Sequence, residues 1–414
     1  MAKTLFLTRN GLLEPLGQSQ VFAYLRGLSR DYEISLVTYE KDEDWSDATR
    51  RAEAFAQCER HGIRWLPQRF VARPKLIAPA SSMLRMALLV WREVKVHGTA
   101  VIHARSYIPA AVAMVVGRMT GVPFIFDMRA LWPEERITAG SLKRGSPLHR
   151  VTVAAERACI RRAARVVSLT QVALDHLEKA YPEEKLVQRT VVIPTCADLD
   201  RFVPAEHSPE RRVIGCLGTV LSGWFKIDWL AKFVAVAARW DPEMQFEVTT
   251  RDRPDLVRAV LDPDGDLGER LQIAPSDPAR VQDVLQGQLA SVMFYAGGEI
   301  SELGRSPTRM AEILGCGLPV VANEGVGDVA EIIRRYNVGV LVVDASEAAM
   351  AEALEELEAL MSDSELASRC RRAAEEVFSL ESGTEAYRRL YAGILGEEGA
   401  ILAEPVEERT AKAP

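Results

Sequence analysis

Short, uniformly apolar runs alternate through most of the chain with longer stretches in which apolar residues return every three or four positions. The runs at 5–8, 34–39, 100–104, 123–127 and 166–168 are too short for helices and read as buried strands, with one more strand near Ile63. Helical spacing occupies 21–30, 47–61, 82–96, 109–120 and 148–163, and a polar loop is expected over 9–20. Residues 191–204 close this half and lead into a polar linker at 205–210. A second alternation follows, with strands expected at 212–218, 245–249, 271–273, 290–295, 318–322 and 339–343, and helices at 227–239, 278–285 and 306–317. A passage rich in Pro, Asp and Gly interrupts it at 252–269, and three helices, 347–361, 364–378 and 384–395, end the periodic part. Alternation of this kind is the mark of a doubly wound parallel sheet, and two consecutive units of similar length imply a cleft between them.

The stretch 306–328 draws the second unit together. Pro307 suits a helix's first turn, Gly317 stops the helix, and a buried strand then runs into a loop holding Gly325 and Gly327. A helix N-terminus and a strand's C-terminal loop are thereby brought close. In open α/β sheets ligands bind at such places, and the free N–H groups and dipole of a helix start favour phosphate. In the first unit, Gly17 stands at a helix entrance, where backbone can approach a ligand closely.

Length and composition narrow the class. With 414 residues, 48% hydrophobic and 26% charged, the chain is long enough for two domains. Its 51 basic and 58 acidic residues argue against a nucleic-acid partner held by a global positive field. Six scattered cysteines without C-x-x-C read as reduced core thiols of a cytoplasmic protein, not a disulfide frame or a zinc site. The first strand begins at once, so no signal peptide is expected, and no apolar run reaches the roughly 18 residues of a membrane span.

Most other motifs fall to plain readings. The Asp-x-Asp pairs are expected by chance in so acidic a chain, and Asp262-Pro-Asp264-Gly-Asp266 lacks the glycine that a calcium loop places next. Gly218 and Gly223 are followed by Trp224-Phe225 and not by Lys-Ser/Thr, so there is no Walker A loop, and no G-x-G-x-x-G follows the first strand. Arg150, Arg157, Arg161 and Arg165 read as a solvated helix face, with anionic lipid or phosphate as the alternative. Met86 to Trp91, flanked by Arg85, Arg92 and Lys95, reads as a core helix, with a membrane surface as the alternative. Lys226 and Arg309 are candidates to face the cleft; a cation at a helix start is otherwise misplaced, so Arg309 reads as a phosphate partner. Glu312, one turn on, is placed to accept two ribose hydroxyls, against the plain reading of a surface glutamate.

Several spaced motifs together carry a resemblance. Ser306-Pro-Thr-Arg-Met-Ala-Glu312, Cys316-Gly317-Leu-Pro319-Val-Val and Gly325-Val-Gly327-Asp328 resemble the donor-site region of family 4 retaining glycosyltransferases. Glu14-Pro-Leu-Gly17-Gln-Ser-Gln20, Ile102-His103-Ala-Arg105-Ser106, Phe126-Asp127-Met-Arg129-Ala-Leu-Trp132 and Val192-Ile-Pro194 agree in the same order. The resemblance implies an α/β GT-B fold of two Rossmann-like doubly wound domains facing across a cleft. An acceptor domain would span 1–205 and a nucleotide-sugar donor domain 206–380. A helix at 381–395 would cross back to the first domain, and a loose tail would occupy 396–414.

The resemblance also implies roles. Glu312 would hold the ribose, backbone N–H groups around Pro307, Thr308 and Arg309 the diphosphate together with Lys226, and Ala274-Pro275 would lie against the base. Gly17 would meet phosphate and sugar, while Asp127 and Arg129 would face the reacting sugar and acceptor. Two positions depart from the family pattern. Gly304 stands where a sugar-holding Glu is expected, with Glu299 and Glu302 nearby, and Gly218-Thr219-Val220 lacks the usual basic residue, which Arg309 would replace.

The implied activity is metal-independent transfer from a nucleotide-diphosphate sugar donor, with no cofactor, to a small-molecule or lipid-linked sugar acceptor, by an enzyme in the cytoplasm or at the membrane surface. A sugar-nucleotide epimerase and a non-catalytic nucleotide-sugar-binding protein are the alternatives.

Overall fold

The computed structural model describes residues 1–70, 78–206 and 211–396. The expected linker is described only in part, and of the expected tail only Gly396 lies within the described residues.

Two parallel sheets form the frame. The first contains β1 (Ala2–Leu7), β2 (Tyr32–Glu40), β3 (Arg64–Arg69), β4 (Val101–Arg105), β5 (Phe124–Asp127), β6 (Arg165–Ser168) and β7 (Thr190–Val192), in the order β3-β2-β1-β4-β5-β6-β7. The second contains β8 (Val213–Leu217), β9 (Gln245–Thr249), β10 (Leu271–Ala274), β11 (Ala290–Met293), β12 (Val320–Asn323) and β13 (Gly339–Val342), in the order β10-β9-β8-β11-β12-β13. Helices cover both faces of each sheet, which is why β4, β5, β8, β11 and β12 are buried at every position and show no alternation. In register, Leu5 lies beside Ile102 and Ser35, and Val292 beside Cys216 and Val321.

The chain adopts the two-domain GT-B architecture, and its last helix returns to the first domain. Helix Leu380–Leu395 puts Tyr387, Leu390 and Tyr391 into one core cluster with Tyr24, Leu25, Leu28 and Tyr32. Its rings meet that cluster edge-on, Tyr387 against Tyr24 at 5.3 Å and Tyr391 against Tyr32 at 5.1 Å. Backbone bonds fix the crossing, Ala197 N to Phe378 O at 2.9 Å and Leu380 N to Ala197 O at 3.0 Å.

Some elements differ from the sequence reading. Helical structure begins at Pro15, inside the expected loop, and passes through a π-helical turn, Gln18–Phe22, into helix Ala23–Leu28. The polar run Gln18-Ser19-Gln20 hides this start, although Pro15 at the first turn is compatible with it. Helix Pro254–Leu261 lies within the Pro/Asp/Gly passage, again opened by a proline, and helices Gln171–Ala180 and Val329–Tyr336 are further short additions.

Candidate active site

Strand order reverses between β1 and β4 in one sheet and between β8 and β11 in the other. Crevices open beyond the carboxyl ends of strands at such reversals. The loops after β8 and β11, which hold Gly218 to Lys226 and Phe294 to Arg305, therefore line the second domain's crevice. Those after β1, β4 and β5 line the first.

In the second domain, helix Thr308–Gly315 is almost wholly buried and starts at Pro307. Arg309 is anchored by Glu312, whose Oε2 accepts from its guanidinium at 2.5 Å, and the Glu312 side chain is only 12% exposed. Gly218 comes next to this pair. Its φ is +120°, and a Cβ added there would lie 3.7 Å from Arg309 Nε. Arg309 thus brings its charge to the loop where the basic residue is missing. Lys226 opens helix Ile227–Trp240, donates its backbone N–H to Phe294 O at 2.9 Å and rests its ammonium 4.1 Å from the Trp229 ring centre. Ala274 and Pro275 are exposed at the carboxyl end of β10. Since β10 is two strands from β8, about 10 Å separates them from Gly218, a span that a nucleoside covers. Asp252, which the sequence reading passed over, holds the Gly218 loop by accepting from Val220 N at 2.6 Å and Leu221 N at 2.9 Å.

The first domain presents a buried ionic cluster. Asp127 has no exposed surface. Its Oδ2 accepts from Tyr387 Oη at 3.1 Å and lies 3.4 Å from His103 Nε2 and 3.5 Å from an Arg105 guanidinium nitrogen, while Arg129 approaches Oδ1 at 3.8 Å. Burial pushes the Asp127 carboxyl upward, but Arg129, the His103 hydrogen bond and Arg105 outweigh it and hold the pKa at about 2. Burial depresses His103, so it is neutral; because an ionised carboxylate only accepts, its Nε2 carries the proton and Nδ1 accepts from Tyr391 Oη at 2.9 Å. Two arginines against one carboxylate leave one positive charge unbalanced. Arg129 also sits at φ +62°, and its buried Nη1 faces Asp127 Oδ1 in an ion pair too long for a hydrogen bond. A strained non-glycine residue at a strand end is a feature of ligand sites. Asp127 was expected to face the reacting sugar; closed off from solvent, it has the geometry of a positioning residue that holds Arg105 and Arg129.

Gly17 is buried against its own loop. A Cβ there would lie 2.0 Å from Gly11 O and 2.8 Å from Leu12 Cα, so only glycine permits the approach. Glu40 holds the facing turn, accepting from Leu12 N at 2.7 Å and Leu13 N at 3.2 Å, and burial raises its pKa in spite of these bonds.

The domains meet at Gly304. A Cβ on Gly304 would stand 2.9 Å from Leu131 N and 3.2 Å from Leu131 Cγ, which leaves no room for the carboxylate side chain expected there. Glu302 lies close by, fully buried and 2.6 Å from Arg305 Nε, and Arg305 in turn stacks over Trp224 at 4.7 Å. Glu299 caps the short helix Ile300–Leu303 only by position, with no side-chain bond. Gly304→Ala is expected to cost about 1–3 kcal/mol through forced separation of the domains, read as a lower melting temperature; unchanged melting would mean that the contact gives way freely. A cavity of about 1300 Å³ also lies between the domains, lined by Thr170, Pro194, Arg305, Ser306, Pro307 and Asp328 among others. It reaches the start of helix Thr308–Gly315, but Gly218, Lys226, Arg309 and Glu312 are not in its lining.

Comparisons agree with this picture at two levels. The family model described as Glycosyltransferase Family 4 matches residues 18–201, and that described as Glycosyl transferases group 1 matches residues 300–377. The D-inositol 3-phosphate glycosyltransferase of Actinosynnema mirum is 25% identical over an alignment of 281 positions that covers 61% of this chain and 63% of that protein. The match thus spans less than two thirds of that relative's length. Among solved structures, a glycosyltransferase from Rickettsia africae superposes with a TM-score of 0.69 at 15% identity, covering 95% of this chain and 98% of its own. Sucrose-phosphate synthase from Thermosynechococcus elongatus gives 0.67 at 14% identity, covering 96% and 100%. HepE of Anabaena in complex with UDP and glucose gives 0.63 at 14% identity, covering 95% and 100%. At these identities the structures speak for the fold alone.

Proposed function

Because this chain belongs to the family 4 glycosyltransferases, we propose that it moves a sugar from a nucleoside diphosphate donor held by the second domain to an acceptor hydroxyl held by the first, with retention of configuration. The observation that carries the reading is the Arg309–Glu312 pair beside Gly218 at the start of a buried helix. Glu312 is the ribose partner and Arg309 the diphosphate partner, joined by Lys226 and the N–H groups around Thr308. Ala274 and Pro275 flank the base. Arg129, paired with Asp127, brings its positive charge to the acceptor side.

The bond from the anomeric carbon to the phosphate oxygen breaks, and its electron pair leaves with the diphosphate. Arg309, Lys226 and the helix start stabilise that charge electrostatically, supplying what a metal ion otherwise supplies. The acceptor oxygen attacks from the face the diphosphate leaves and passes its proton to the departing phosphate oxygen, so retention follows without a covalent enzyme intermediate. The acceptor is a small molecule or a lipid-linked sugar.

A thermal-shift panel of UDP, GDP, ADP and TDP tests the donor site. A ligand at a hundredfold excess over its Kd adds about 2.7 kcal/mol to the folded state, and one of the four is expected to raise the melting temperature by several degrees. No shift with any would overturn the nucleotide site. Turnover with the matching nucleotide sugar then separates the readings: glycosylated acceptor supports transfer, epimerised donor without acceptor supports an epimerase, and binding without turnover supports the non-catalytic reading.

A further inference from the structure

Three helices lie side by side on one face of the first sheet, Ala78–His97, Tyr107–Thr120 and Pro147–Arg162, and their inner sides share one core cluster through Met86, Val90, Val112, Val116, Cys159 and Ile160. Their outer sides are unusual. On the first, Leu84, Leu88 and Trp91 are 62%, 59% and 44% exposed and recur at spacings of four and three, which makes one continuous stripe. On the second, Val115 and Met119 are 50% and 69% exposed, one turn apart. Leu148 and Val151 extend the surface onto the third. Scattered single apolar residues need no explanation, but a stripe repeated on neighbouring helices marks a docking surface.

The charge on these helices says what docks. They carry eight lysines or arginines and only two acids, Glu93 and Glu156, in a chain whose net charge is −7. Both acids are turned inward and engaged. Glu93 pairs with Arg64, and Glu156 accepts from Tyr107 Oη at 2.8 Å and Tyr181 Oη at 2.6 Å. Arg157 and Arg161 are answered by Glu183 and Glu184. Arg85, Arg92, Lys95, Arg118, Arg150 and Arg162 remain exposed, with no carboxylate partner among the described residues. Arg85 and Arg92 run beside the Leu84–Leu88–Trp91 stripe, and Lys95 continues it. Apolar side chains outward, long basic side chains beside them and no outward acid is the make-up of a surface that lies in the headgroup layer of a bilayer.

We propose that this face binds anionic lipid membrane, with Leu84, Leu88 and Trp91 entering the headgroup layer and Arg85, Arg92 and Lys95 meeting lipid phosphates. The inference goes beyond the transferase reading and stands independently of it. Each cation near an anionic surface raises binding about fivefold, and the contribution falls with salt. The test is co-sedimentation of the full chain with extruded vesicles of phosphatidylcholine, with or without about 30 mol% phosphatidylglycerol.

Binding to the anionic vesicles is expected, weakened at least about tenfold by phosphatidylcholine alone or by high salt. The triple variant Leu84→Ser/Leu88→Ser/Trp91→Ser and the triple variant Arg85→Glu/Arg92→Glu/Lys95→Glu are each expected to lose it by a similar factor while keeping the melting temperature, because every changed side chain is exposed. Failure of the native chain to sediment with anionic vesicles would overturn the proposal, as would equal binding by either variant. Lipid-free self-association that the serine variant abolishes, without vesicle binding by the native chain, would assign the face to a second copy and equally overturn it.

Discussion

Glu312→Ala is expected to weaken nucleoside diphosphate binding by about 1–3 kcal/mol, roughly five- to 150-fold in Kd, measured by titration calorimetry with the nucleotide that the thermal-shift panel selects. Two losses are combined in that figure. A carboxylate that accepts ribose hydroxyls is removed, and Arg309 loses the partner that anchors it 2.5 Å away beside Gly218. A double-mutant cycle separates them. If Glu312 touches the ribose, Glu312→Ala adds its own cost on top of Arg309→Ala; if it acts only by anchoring Arg309, the double variant binds no worse than Arg309→Ala alone. Glu312→Gln keeps the shape and loses the charge, and is expected to fall between native and alanine. Full native affinity in Glu312→Ala would remove Glu312 from the site.

That pair sits on an element that was legible in the sequence. Pro307, Arg309, Glu312 and Gly317 lie within one helix and its ends, so local spacing fixes which turn each occupies. The fully apolar strands β4 and β5 were legible for a related reason, since burial on both faces removes alternation over a whole segment. The first-domain cluster was not legible in the same way. Asp127 and Tyr387 stand 260 positions apart, and nothing in either segment's periodicity announces that the last helix will return to cover β5. Glu40 and Leu12 likewise meet across 28 positions. The Gly304 position needed coordinates too, since the absence of the expected carboxylate is visible in the sequence while the reason, Leu131 pressed against it from the other domain, is not.

Asp127→Asn is expected to destabilise the fold by about 3–5 kcal/mol at neutral pH, because it leaves Arg105 and Arg129 buried without a counter-charge. That is a large share of the roughly 5–15 kcal/mol that holds a typical domain together. The pH dependence distinguishes this cause from a simple packing loss. The Asp127 pKa of about 2 lies below the roughly 3.9 of an unfolded aspartate. A depressed carboxylate stabilises the folded chain fully above the unfolded value and loses that contribution as pH falls through the folded one, so the native protein gives up about 2–3 kcal/mol between about pH 5 and pH 1, most of it between about pH 4 and pH 2. The asparagine variant has no such proton to take up. Its deficit relative to the native chain is therefore expected to be largest above about pH 5 and to narrow toward about pH 3 in urea unfolding. His103 acts in the same direction in both proteins: its depressed pKa means that the unfolded chain gains the proton first below about 6.5, which lowers stability on acidification, and the effect is at least as strong in the asparagine variant, which lacks the Asp127 charge that raises the His103 pKa. Tyr387→Phe, which removes one hydrogen bond to Asp127 and no charge, is expected to cost only about 1 kcal/mol. A deficit in Asp127→Asn that stays constant from neutral to acid pH would show that the residue contributes by shape, and the tie between the returning C-terminal helix and the cleft would then have to rest on the tyrosine packing rather than on the ion cluster.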